Sequence, residues 1–218
     1  MIVAIDGPAA AGKSTSAKLV AQNLGFTYLD TGAMYRCVTL SVLRNQIALD
    51  DDIALGLLFE NLDIQIDKVD DQLIVRLNGD DVSTEIRKAE VTSCVSAVSA
   101  VPRVRDALVR IQRQMALDTD CVVEGRDIGT IVFPDAEIKF FLVADDLVRA
   151  KRRQMDLIAI GEERSIDELV EEIRRRDAYD SGRSHSPLCK AEDAFEVDTS
   201  KLTIDEQVDF MVNKVKNY

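Results

Sequence analysis

Ile2-Val3-Ala4-Ile5-Asp6-Gly7-Pro8-Ala9-Ala10-Ala11-Gly12-Lys13-Ser14-Thr15 is the stretch whose reading decides the fold. The apolar run Ile2–Ile5 reads as a buried strand, and Gly7 to Ser14 fits the phosphate-binding pattern G-x-x-x-x-G-K-[ST]. Gly7 and Gly12 allow backbone geometry closed to other residues, so that successive N–H groups can converge on phosphate oxygens. A helix starting near Lys13 adds its positive N-terminal end. The expected nucleotide-binding residues are therefore Gly7, Pro8, Ala9, Ala10, Ala11, Gly12, Lys13, Ser14 and Thr15. Lys13 can set its ammonium on β/γ-phosphates, and the Ser14 hydroxyl can face a phosphate-bound Mg²⁺. The segment points to a nucleoside triphosphate.

Outward from the loop, the first helix is predicted from about Lys13 to Leu24, with Gly25 as its stop. Phe26–Leu29 reads as a strand, and Asp30-Thr31-Gly32 opens a helix to about Leu43 with Thr31 as N-cap. A weaker helix follows near Ile53–Leu62. The period then changes to two: Ile64 and Ile66, then Leu73, Val75 and Leu77, alternate with polar neighbours, and Asn78-Gly79 signals a hairpin turn. Residues Asp63 to Val82 are thus expected to form a small antiparallel sheet. Helical patterning resumes over Ile86–Val101, breaks at Pro102 and continues to about Leu117.

Cys121–Val123 and Ile138–Ala144 are apolar enough for strands of a parallel sheet covered on both faces. Helices are predicted over Leu147–Ile160 and Ile166–Ala178, joined by an exposed Gly161-Glu162-Glu163 turn. Ser165-Ile166-Asp167-Glu168 and Thr203-Ile204-Asp205-Glu206 have the capping-box form. Ala194–Val197 is the last strand, before the C-terminal helix. Five strands alternating with helices behind a phosphate loop imply a doubly wound α/β fold, a parallel five-stranded sheet with a small antiparallel β insertion. Ligands in such sheets bind beyond the strands' carboxyl ends, where Gly7–Thr15, Asp30–Arg36, Glu124–Thr130 and Arg176–Arg183 fall.

At 46% hydrophobic and 30% charged residues, the composition is that of a soluble globular chain. No apolar run approaches the roughly 20 residues of a membrane span, and the N-terminal apolar stretch is too short for a secretory signal. Cys37, Cys94, Cys121 and Cys189 are scattered without a C-x-x-C pair, as expected of reduced cytoplasmic thiols. A net charge of −12 argues against nucleic-acid partners. The positive charge is clustered instead, at Arg103/Arg105/Arg110/Arg113, at Lys151/Arg152/Arg153 and at Arg174/Arg175/Arg176 with Arg183, which suits small anionic ligands.

Phosphate-loop proteins divide into switches, motor ATPases and small-molecule kinases. The guanine-reading N-K-x-D tetrapeptide is absent, and no extended apolar strand ends in the simple Asp of a large ATPase. Arg36, Arg105, Arg126, Arg176 and Arg183 instead lie mostly beside glycines or at element ends. Phosphoryl transfer needs positioning and charge stabilisation, which arginine forks supply in two-point fashion. A second, phosphate-bearing acceptor explains so many arginines more easily than hydrolysis does. The alternatives are a kinase of another small acceptor and a phosphate-loop NTPase acting as switch or hydrolase.

Four segments resemble bacterial cytidylate kinases. They are Ile5-Asp6-Gly7-Pro8 into the loop; Leu29-Asp30-Thr31-Gly32-Ala33-Met34-Tyr35-Arg36; Glu124-Gly125-Arg126-Asp127-Ile128-Gly129-Thr130 with Phe133-Pro134-Asp135-Ala136; and Arg174-Arg175-Arg176-Asp177 through Asp180 and Arg183 to Ser186-Pro187-Leu188. The likeness spans nearly the whole chain. It implies transfer of the γ-phosphoryl group of ATP, with Mg²⁺, to CMP or dCMP by a cytoplasmic monomer. It further implies one phosphate-loop kinase domain over residues 1–218. Within it lie a monophosphate-binding lobe over 31–117, enlarged by the β insertion at 63–82, and a helical lid over about 147–180.

Carried over by position, the resemblance gives Arg36 and Arg126 the acceptor phosphate, and Ser96, Arg105 and Asp127 the cytosine. Asp180 with Arg176 would meet the ribose, Arg183 would lie against the acceptor nucleotide, and Thr31 would stand near it. Lys13 and Arg126 would be catalytic, with Arg152 and Arg153 closing over the triphosphate. Arg149 and Lys151 offer charge equivalent to that lid pair. A guanidinium and a hydroxyl answer the acceptor atoms of cytosine and a carboxylate its amine. Uracil would turn a carbonyl toward Asp127, leaving polar groups unpaired.

Overall fold

The structure, a computed structural model, describes residues 1–69, 72–159 and 161–218. The chain divides into two compact units, Met1–Leu29 with Ala116–Tyr218, and Asp30–Met115.

The first unit holds strands β1 (Ile2–Asp6), β2 (Thr27–Asp30, whose last residue belongs to the second unit), β6 (Cys121–Glu124), β7 (Ile138–Val143) and β8 (Phe195–Asp198) in the order β2-β6-β1-β7-β8. β1 runs parallel to both β6 and β7, with Val3 opposite Val122 and Ile138, and β7 runs parallel to β8. The strand order reverses direction at β1, so the phosphate loop leaves the sheet at its switch point. Helices α1 (Lys13–Leu24) and α8 (Ile204–Lys216) close the core: Ala17, Val20 and Ala21 of α1 and Met211, Val212 and Val215 of α8 pack with Val3, Ile5, Val122, Phe140 and Leu142. Each of the larger side chains buried here (Val, Ile, Leu, Met, Phe) contributes about 1.5–3 kcal/mol. Helices α6 (Asp146–Ala159) and α7 (Ile166–Ser181) form a hairpin with its own cluster of Ala150, Leu157, Leu169 and Ile173.

The second unit holds α2 (Thr31–Arg44), α3 (Asp52–Glu60), α4 (Ala89–Val98), α5 (Pro102–Met115) and a sheet of β3 (Ile64–Val69), β4 (Gln72–Leu77) and β5 (Asp80–Asp81). β3 and β4 pair antiparallel with Ile64 opposite Leu77 and Ile66 opposite Val75. Asn78 and Gly79, at φ 52° and 89°, make the two-residue turn into β5. Of the sheet expected over Asp63–Val82, Asp70 and Asp71 lie outside the described residues, as does Ile160, the expected end of α6.

Several boundaries differ from expectation. The cap of α2 is Asp30, whose side chain accepts from Ala33 N–H at 2.9 Å, so Thr31 is the first helical residue. The helix expected over 86–101 is a 3₁₀ turn, Glu85–Arg87, followed by α4, because Lys88 is extended (φ −60°, ψ 155°) between them. Pro102 opens α5 at a position where its missing N–H costs nothing. Helix α7 runs three residues past Ala178 to Ser181, which keeps Asp180 helical. Both capping boxes form, at Ser165/Glu168 and Thr203/Glu206. Among the described residues no helix is long and apolar enough to cross a membrane.

Candidate active site

The phosphate loop is fixed by close approach and by its carbonyls. Gly7 has φ 147°, and a Cβ there would stand 2.2 Å from the Leu142 carbonyl oxygen, so only glycine fits. Lys13 Nζ donates to the Pro8 carbonyl at 2.6 Å, Arg149 Nη1 to that of Ala9 at 3.1 Å, and Thr199 Oγ1 to that of Ala11 at 2.9 Å. Thr199, fully buried just after β8, is itself held by Arg152, which donates to its carbonyl at 2.7 Å and its hydroxyl at 3.0 Å.

Glu124 ends β6 beside β1, a position to which the sequence alone assigns no individual role. Its Oε2 accepts from Ser14 Oγ at 3.0 Å and its Oε1 from the Tyr28 hydroxyl, with the glutamate 3% exposed. The apolar run of β6 ending in a carboxylate was the available signal. Lys13 is buried, and its pKa is pushed down to about 7, by burial first and then by Arg126, while Glu124 draws it up. A polyanion among these cations would restore its charge. The Ser14 hydroxyl and Glu124 carboxylate form a hard oxygen pair that fits Mg²⁺, which takes few protein ligands beside phosphate oxygens and water.

Arginines gather near Lys13, where Arg126 and Arg176 oppose its charge. Arg126 Nε lies 3.3 Å from Asp180 Oδ2, and Arg183 Nη2 pairs with Asp180 Oδ1. Arg176 Nε is buried with no hydrogen-bond partner among the described residues. Its pKa is pushed down to about 10, by burial first and then by Arg126, with Arg153 adding to the effect and Asp180 opposing it. Around one carboxylate, therefore, stand more guanidiniums than it can neutralise, an environment that favours an anion. Asp127, 4% exposed, precedes a single π-helical turn, Ile128–Val132, whose first two N–H groups donate to Asp6 Oδ1 and Oδ2 at 2.8 Å each. Such turns recur at functional sites. Burial raises the Asp6 carboxyl to about 6 against the opposing pull of these bonds. Asp6 was likewise missed, since its partners lie far away in sequence.

By sequence, Arg149 and Lys151 offer charge equivalent to Arg152 and Arg153. The structure separates them: Arg149 is 5% exposed and ion-paired with Asp146 and Asp177, while Lys151 is exposed. A side chain's burial here depends on which face of α6 it occupies.

The second unit brings together Tyr35, Arg36, Thr92, Ser99 and Arg105. Arg36 Nη1 donates to the Ile86 carbonyl at 3.0 Å and to Thr92 Oγ1 at 2.8 Å. Arg105, 4% exposed, donates to the Ser99 carbonyl at 3.1 Å and lies 5.4 Å over the Tyr35 ring. Ser96 is half-buried on α4, and Thr31 is buried at the start of α2.

A family model described as cytidylate kinase matches residues 3–217 of the chain. A cytidylate kinase of Geobacter sp. (strain M21) is 48% identical over 99% of this chain and 93% of its own length. One from Halalkalibacterium halodurans is 46% identical over 99% of this chain and 97% of its own. A gluconokinase structure from Sinorhizobium meliloti 1021 superposes with a TM-score of 0.51 at 12% identity, covering 99% of this chain and 91% of that one, a likeness of fold alone.

Proposed function

From the premise that the chain belongs to the cytidylate kinase family, we propose how its own residues divide the work of that reaction. The protein is an ATP-dependent nucleoside monophosphate kinase that phosphorylates CMP. The observation that carries this is the family likeness over residues 3–217, which includes both the phosphate loop and the arginine segments. The rival readings, another acceptor or a hydrolytic switch, are not favoured.

Transfer of the γ-phosphoryl group passes through a loose transition state with charge spread over its oxygens, so positioning and cations do most of the catalysis. Lys13 takes the β/γ-phosphates, and its lowered pKa in a cation-rich pocket supports that role. Gly7 to Thr15 cradle the triphosphate. Ser14, oriented by Glu124, would hold Mg²⁺, which when bound screens phosphate charge. Arg126 serves as catalytic cation and holds the acceptor phosphate with Arg36. Ser96, Arg105 and Asp127 read cytosine; Arg176 with Asp180 meets the ribose, and Thr31 and Arg183 complete the acceptor site. Arg152 and Arg153, on a lid over about 147–180, close over the triphosphate. The acceptor lobe spans 31–117. dCMP is accepted as well as CMP, and the protein works as a monomer in the cytoplasm, a reducing compartment that suits its free cysteines.

The test is diphosphate formation from ATP and Mg²⁺ with CMP, dCMP, UMP, AMP, GMP and no acceptor side by side. Turnover with CMP and dCMP alone is expected, and Lys13→Ala should abolish it. Turnover with a different monophosphate would discard the base-reading roles, and ATP loss without an acceptor would overturn the kinase reading.

A further inference from the structure

Ala9 is gripped through both of its backbone polar groups by the α6–α7 hairpin. Its N–H donates to Asp177 Oδ1 at 3.3 Å, and its carbonyl accepts from Arg149 Nη1 at 3.1 Å. The same Arg149 nitrogen pairs with Asp177 Oδ2, closing a ring of α6, α7 and loop. Arg149 Nη2 pairs with Asp146, which also takes Arg174 Nε at 2.6 Å. The side chains of Arg149 and Asp177 are 6% and 19% exposed, so solvent competes weakly for these bonds.

The grip fixes two successive peptide planes, Pro8–Ala9 and Ala9–Ala10. The next residue, Ala10, has φ 57°, a left-handed conformation that costs an L-residue about 1–2 kcal/mol. Such a conformation persists only where its surroundings over-determine it, and here Arg149, Asp177 and, one residue on, Thr199 at the Ala11 carbonyl do so. Because each peptide is trans, anchoring the carbonyls of Ala9 and Ala11 turns the N–H groups of Ala10 and Gly12 the opposite way. Those are the groups a phosphate loop offers its anion.

We propose that Arg149 and Asp177 are positioning residues for the phosphate donor, holding Ala9 so that the loop stands preset for the triphosphate. This rests on the reading of the loop as the ATP site. ATP affinity is thereby tied to the packing of α6 on α7, while the grip reaches the acceptor side only through the weaker field of Asp177 at Arg176.

The experiment measures ATP and CMP affinity by calorimetry, KM for each substrate, and Tm, for the full chain and for Asp177→Ala, Asp177→Asn and Asp146→Asn. Asp146 binds the same arginine without touching the loop, so it reports the purely structural share of the network. Asp177→Ala is expected to weaken ATP binding about tenfold and raise its KM similarly, with CMP affinity within about twofold. Asp146→Asn is expected to lower Tm while leaving ATP affinity within about twofold. Asp177→Asn keeps an oxygen for the Ala9 N–H and falls between; if Asp177→Ala does not fold, it decides by the same criteria. Unchanged ATP affinity at position 177, or ATP and CMP affinities falling together in step with Tm, overturns the proposal. Wild-type protein that binds ATP but leaves CMP unphosphorylated refutes the kinase reading instead, and is seen in a separate assay.

Discussion

Asp180→Asn tests the charge balance of the arginine cluster. The side chain of Asp180 is 2% exposed and pairs with Arg126 and Arg183, while Arg176 lies close enough to feel Asp180 and Arg126. The substitution keeps shape and one acceptor oxygen but removes the negative charge the guanidiniums share. Removing one partner of a buried ion pair costs about 3–5 kcal/mol. The Arg126 side chain is 21% exposed and partly solvated, which puts the expected loss at about 3 kcal/mol. For a chain of this size each kcal/mol shifts Tm by about 2–4 °C, so a drop of about 6–12 °C is expected. An anion in the site replaces the lost charge, so sulfate or phosphate should recover more Tm in the variant than in wild type at equal ionic strength. Scanning calorimetry in chloride and in sulfate measures both. A Tm change under about 2 °C, with no preferential recovery by sulfate, would show that the cluster is not held by Asp180 and would refute the reasoning.

Gly7→Ala should leave little folded, ATP-binding protein, because its Cβ would meet the Leu142 carbonyl oxygen at 2.2 Å; normal yield and ATP titration would contradict the close approach. Gln112, fully buried on α5, has neither amide atom hydrogen-bonded among the described residues. Gln112→Met should therefore stabilise the protein by about 1–2 kcal/mol, since an unpaired buried polar group costs more than a shape-matched apolar one; a lower Tm would count against this. Cys37 is fully buried, and its thiol is pushed up to about 12 by burial, with Asp30 adding to the effect, whereas Cys189 is exposed. Because thiolate is the reactive form, iodoacetamide at pH 8 should modify Cys189 in the native protein and Cys37 only after unfolding. Peptide mapping showing early modification of Cys37 would contradict its burial.

The sequence alone determined whatever depends on neighbours within a few positions. The Gly7–Ser14 loop between strand and helix, the capping boxes at Ser165 and Thr203, the Asn78-Gly79 turn and the helix stop at Gly25 are local backbone chemistry. Five apolar runs and their alternation with helices likewise imposed the parallel sheet. Even local reading slipped by a residue where adjacent residues compete: Asp30 caps α2 rather than Thr31, because its carboxylate reaches the Ala33 N–H.

Tertiary structure alone decided which distant groups meet. Glu124 orients Ser14 across 110 positions, Asp6 holds Ile128 across 122, and Arg149 reaches Ala9 across 140. No pattern in the chain separates Arg149 from Lys151, two residues away on the same helix; packing of α6 against α7 and the loop buries one and leaves the other in water. The physical reason is that helix propensity and capping act over one turn of backbone. Burial and pairing of charge depend on which helix face and which strand end the folded sheet brings together.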